Sequence, residues 1–203
     1  VATKAAFRLT PAVVALFALL LWRRKKMQSE PPTKPGVIRS NVSAEDRATV
    51  ITAISAQGGW PPREVDKCIM IESGWRTDAR NPISNASGLI QLMPAWFKRH
   101  RFREDLATGS ERAAEFRKLG ALEQLPWLLT YFREVGKHWH VPGDTYLAFA
   151  APAFVGADNE TIVYQVNSKA WQQNPAWRDT PNGPITAGSI RRLLLRKLGG
   201  VNV

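Results

Sequence analysis

A mostly α-helical domain is the fold class this sequence predicts, and three observations predict it. Pro62 to Ser73 puts Val65, Cys68 and Ile69 on one helical face, with proline at its start and Gly74 just past its end. Ser43 followed three residues later by Asp46 is the hydroxyl-then-acid pattern of a helix start. No segment alternates convincingly as a strand does, and no internal repeat is visible.

The elements follow in order. Residues 9–22 are an apolar run ending in Trp22, and Arg23, Arg24, Lys25 and Lys26 follow at once. Fourteen helical residues span roughly 21 Å, and a start at Ala5 with Arg8 snorkelling extends this to about 27 Å. A hydrocarbon core is about 30 Å thick. Residues 1–26 are therefore expected to be a short transmembrane anchor with a basic flank, meeting lipid through residues 5–26. A signal peptide fits less well, because a charge block stands where small residues and a cleavage site belong. Residues 27–42, with Pro31, Pro32, Pro35 and Gly36, read as a linker, and residues 43–203 as the folded domain.

Within the domain, the first helix uses Val50, Ile51 and Ile54 as its apolar face and ends at Gly58-Gly59, and the Pro62–Ser73 helix follows. Ser84 to Pro94 reads as a helix turn started by Gly88 and closed by proline. Ala95 to Arg103 is a basic amphipathic stretch. Ser110–Leu119 and Leu122–Lys137 read as helices, the second starting near Pro126. Tyr146–Phe154 is apolar and rich in small residues, Thr161–Trp171 is expected to be helical, and Ile190–Leu198 is a basic helix stopped by Gly199-Gly200.

The net charge of +11 is uneven. Residues 1–40 hold eight basic residues and one acid, a balance of +7, which leaves +4 for the rest. The domain is only mildly basic, so no specific nucleic-acid partner is expected; the basic block suits anionic lipid or packaged nucleic acid equally. The single cysteine, Cys68, excludes an intramolecular disulfide and reads as a small hydrophobe. His138 and His140 stand two apart with no Cys or Asp cluster beside them, so neither metal nor cofactor is expected.

Glu72 is the residue that carries chemistry. It shares the stripe of Val65, Cys68 and Ile69 one turn before the chain breaks into a loop. A carboxyl desolvated there holds its proton more tightly than in water, which is what a general acid needs. Lys67 or Arg76 as an ion partner is the alternative.

Glu72-Ser73, a short loop, and then Ser84-Asn85-Ala86-Ser87-Gly88-Leu89-Ile90-Gln91-Leu92-Met93-Pro94 resemble the lytic transglycosylase family of the goose-type, lysozyme-like fold. Softer resemblances, to the phage virion-associated branch, lie in Gln124-Leu125-Pro126-Trp127 and in Tyr164-Gln165-Val166-Asn167 with Trp171 to Trp177; together they cover roughly residues 43 to 180. The resemblance implies a one-carboxylate route on peptidoglycan glycan strands. Glu72 protonates the oxygen between N-acetylmuramic acid and N-acetylglucosamine, then acts as base on the muramic 6-hydroxyl, which closes a 1,6-anhydro ring. Ser73, Ser84 and Gln91 would bind or orient sugar substituents and Met93 would line the groove.

One departure stands out. Where the cellular enzymes carry Ala-Tyr-Asn-Ala-Gly, this chain has Ala148-Phe149-Ala150-Ala151-Pro152. Tyr146 and Tyr164 are the candidates to replace the sugar-holding tyrosine, with Tyr164 preferred. The basic block after the anchor would by charge bias face the cytoplasm, which is awkward for a wall enzyme. A virus particle that delivers the domain as a phage enters its host removes that conflict and implies virion proteins as partners. Two other readings stay open: a hydrolytic muramidase in which Asp78 places water, and an inactive, membrane-anchored virion structural protein.

Overall fold

In the computed structural model, residues 40–199 are described. The described residues all belong to one compact unit. The expected anchor and most of the linker lie outside the described residues, and among those described no helix is long and apolar enough to cross a membrane.

Eight α-helices lie among the described residues: α1 Ala44–Gly58, α2 Pro62–Ser73, α3 Pro94–Arg99, α4 Gly109–Phe116, α5 Ala121–Val135, α6 Asp144–Ala150, α7 Lys169–Gln173 and α8 Ala187–Lys197. Helix α1 lies against α5 and α2; α2 in turn packs on α6 and α8. Local chemistry sets the ends of these elements. Ser43 caps α1 by accepting the Asp46 N–H, and Gly59 closes it in the left-handed region. Gly74 closes α2 in the same way at φ 63°. Thr108 and Glu111 form a reciprocal capping box on α4. One aromatic cluster, Phe97, Phe102 and Phe116, packs α3 on α4 with ring centroids 4.8–5.8 Å apart.

Several expectations are corrected. There is a sheet: β1 Ile162–Tyr164 pairs antiparallel with β2 Ile185–Thr186. The expected Thr161–Trp171 helix is therefore a strand followed by the short α7. Ile162-Val163-Tyr164 is strand-forming in composition, but its partner is only two residues long and gives no pattern to read. The 84–94 segment holds no helix turn. Ser87 and Leu92 exchange two backbone bonds of 3.0 Å around a four-residue loop. The basic stretch Ala95–Arg103 is helical only up to Arg99, and Arg101 and Arg103 beyond it take positive φ. Helix α5 starts at Ala121, so Pro126 lies inside it and removes one i→i−4 bond. Tyr146–Phe154 divides into α6 and a 3₁₀ turn at 152–154. Helix α8 begins at Ala187, where Thr186 and Ser189 cap it reciprocally.

Ser40 Oγ donates to Trp75 O at 3.0 Å, and Asn41 Oδ1 accepts the Thr77 N–H at 3.0 Å. The last linker residues are thus fastened to the turn that follows α2.

Candidate active site

Glu72 is the penultimate residue of α2. The face it shares is buried as expected: Val65, Cys68 and Ile69 are all 0% exposed. The chain then turns through two left-handed residues, Gly74 and Trp75, and Trp75 is locked by its Nε1–H donating to Asp66 Oδ1 at 2.8 Å. Burial pushes the Glu72 carboxyl up to about 7, and a hydrogen bond from the Tyr146 side chain opposes the rise. Neither cation considered from sequence holds it in an ion pair. Arg76 is taken by Asp78 through two bonds of 3.0 Å, and no ion pair to Glu72 is found among the described residues. Cys68, behind Glu72 on the same face, has its thiol pushed well up by burial and by the charges of Glu72 and Glu64, so it is a poor nucleophile.

Helix α6 supplies the facing wall. Two turns before Glu72, the buried Glu64 accepts the Thr145 hydroxyl at 2.6 Å and the Gly143 N–H at 3.3 Å. Behind α6, buried Asp144 pairs with Arg191 of α8 at 2.6 Å. Tyr146 is therefore carried on a helix tied at its start from both sides. Its hydroxyl accepts the Trp177 Nε1–H at 3.3 Å, and Trp177 in turn stacks on Tyr164 with centroids 6.1 Å apart and planes at 17°. The tyrosine on Glu72 is thus Tyr146; the preferred Tyr164 stands two rings away. Phe149, at the position of the family tyrosine, packs on Phe132.

The second half of the motif is a rigid hairpin loop. Gly88 has φ 78°, and a Cβ there would lie 2.5 Å from Phe116 Cε1 and 2.7 Å from Gln124 Oε1. Gln124, fully buried, accepts the Leu89 N–H at 3.1 Å and donates to Thr77 O at 2.9 Å, joining the loop to the segment after α2. Gln91 Nε2 donates to Gly88 O at 3.0 Å, so its amide nitrogen braces the loop. Ser84 Oγ accepts the Ala86 N–H, and Ser73 Oγ donates back to Ile69 O at 3.0 Å. Met93 is 50% exposed at the end of the loop. Tyr131, its hydroxyl pushed up by burial and by the Glu72 charge, lines a pocket of about 270 Å³ with Arg99, Glu134 and Pro152.

Sequence reasoning passed over Glu64, Gln124 and Trp177 as functional supports. Gln124 and Trp177 fall inside the softer matched stretches, which was the signal for them. Glu64 gave none, since its partners are 79 and 81 residues away.

A helical domain with one buried carboxyl raised to about 7 beside a tyrosine, and a braced Gly-Leu loop joined to the segment that follows its helix, fits the lysozyme-like class. Comparison with protein families sharpens this. Residues 49–151 match the transglycosylase SLT domain, just over half of the chain, and the protein belongs to that family of peptidoglycan lytic transglycosylases. Comparison with curated proteins returned no match.

Proposed function

We propose that this protein cleaves the β-1,4 bond between N-acetylmuramic acid and N-acetylglucosamine without consuming water, leaving a 1,6-anhydro end, with Glu72 as the single acid–base group. One observation carries the proposal: Glu72 is desolvated, has no ion pair among the described residues, and is pushed by burial up to about 7. A carboxyl in that state gives its proton to the leaving oxygen and then takes one from the muramic 6-hydroxyl. The other nearby acids are committed elsewhere. Asp78 is exposed and held ionised by Arg76, and Glu64 is buried under Thr145 and Gly143. The hydrolytic route through Asp78 is disfavoured for that reason. Ser73, Ser84, Gln91 and Met93 frame the glycan groove, and Tyr164 borders it through Trp177. Residues 1–26 anchor the enzyme in a membrane, residues 27–42 link anchor and domain, and the anchored protein opens the periplasmic wall locally as a phage enters its host, packed among virion proteins. No cofactor enters the scheme. Mass spectrometry of the soluble products from purified peptidoglycan tests it: anhydro-muropeptides, one water lighter than muramidase products, are expected. Reducing muramic ends would refute the route, and no release at all would support the inactive structural reading.

A further inference from the structure

The family match ends at Ala151, yet a group that bears on Glu72 lies beyond it. Trp177 sits in a 3₁₀ turn, Pro175–Trp177, with its ring edge-on to Tyr146 at 6.2 Å and 88°. A phenol hydroxyl has one proton and two lone pairs. By accepting the Trp177 Nε1–H, the Tyr146 oxygen has one lone pair engaged and its own proton left for Glu72. We propose that Trp177 is a positioning residue of the acid–base site, fixing the Tyr146 hydroxyl as a donor to Glu72, so that the segment from Asn159 to Arg192 completes a site the family domain leaves open. The proposal rests on Glu72 being the acid.

That segment is built to hold the indole still. Tyr164 of β1 covers one face of it. Below the turn, Arg178 donates to Trp171 O at 2.7 Å and lies 3.4 Å over the Trp171 ring, while Trp171 Nε1 donates to Gly183 O at 2.8 Å. Strand β2 leads directly into α8, whose Arg191 grips Asn159 at 2.9 Å on one side and Asp144, at the start of the helix carrying Tyr146, on the other. The contacts close into a ring, from α6 through α8 and the sheet to Trp177 and back to Tyr146. Donation from Tyr146 favours the carboxylate, so loosening it raises the pH at which Glu72 titrates. The other titratable groups that sense Glu72 are Tyr131 of α5 and Cys68 of α2, both kept neutral by burial. Arg76 is held by Asp78 and Arg191 by Asp144.

The test is a ¹³C NMR titration of the Glu72 carboxyl, assigned by its disappearance in Glu72→Gln. Trp177→Phe should move the midpoint up by about half a pH unit with the melting temperature nearly kept. Tyr146→Phe should move it at least as far, and the double variant no further than Tyr146→Phe alone. The alkaline limb of kcat/KM on peptidoglycan should shift with it. An unmoved midpoint in Trp177→Phe overturns the proposal, as does a shift that adds in full to that of Tyr146→Phe. Benzothienylalanine at position 177, the same ring shape without the N–H, gives the same reading if the phenylalanine variant does not fold. The titration needs no activity, so an inactive wild type would count against Glu72 as acid while the role of Trp177 was still decided.

Discussion

The Glu64 carboxyl accepts the Thr145 hydroxyl at 2.6 Å, so α2 and α6 are bonded through a residue two turns before Glu72 and the residue just before Tyr146. Loss of the Glu72 carboxyl therefore leaves the two helices fastened, and chemistry can be separated from folding.

Glu72→Gln should lower the release of soluble muropeptides by roughly a hundred- to ten-thousand-fold, the usual contribution of a general acid. Its circular dichroism should match the wild type. Retention of more than about a tenth of the rate would remove Glu72 from the role of acid.

The pH dependence has a definite sign. Glu72 must start protonated, so kcat/KM should fall as pH rises through about 7. Stability moves the same way. Its folded pKa is raised, so the native state binds more protons than the unfolded chain between the ordinary carboxylate range and about 7, and stability drops as pH climbs through that window. Glu72→Gln should therefore be more stable than wild type at pH 8 by on the order of 2–3 kcal/mol, a difference that vanishes near pH 4. Denaturant melts at both pH values measure it; equal gains at both would show that the shift is absent.

Two glycines with the same backbone sign should respond differently to alanine. At Gly74, φ is 63° and nothing lies within 4 Å of a new Cβ, so Gly74→Ala should cost about 1–2 kcal/mol from backbone strain alone. At Gly88 the Cβ also meets Phe116 and Gln124 below 3 Å, and overpacking adds about 1–3 kcal/mol. Thermal melts should rank Gly88→Ala well below Gly74→Ala, and equal losses would mean that the loop yields freely.

A fragment beginning at Ile38 should keep the melting temperature and wall-cleaving activity of the full chain. One beginning at Ser43 loses Asn41, leaving the Thr77 N–H without its partner. An unsatisfied buried group costs about 1–3 kcal/mol. Comparing the two fragments by calorimetry checks this, and identical melts would show that residues 40–42 contribute nothing.

The sequence by itself determined the mostly helical class, the course of α1 and α2, and the face on which Glu72 lies, because proline, glycine, capping residues and apolar spacing act over a few neighbours. Only the tertiary structure decided what surrounds Glu72. Its partner Tyr146 is 74 residues away, Trp177 is 105 away, and Gln124 reaches the Gly88-Leu89 loop across 35. That Tyr146 bonds Glu72 follows from the packing of α6 on α2, which no local spacing reports. The short β1–β2 pair was invisible because two residues carry no period. Burial and hydrogen bonding between distant segments set the proton affinity of a carboxyl, and neither is encoded in the spacing along one helix.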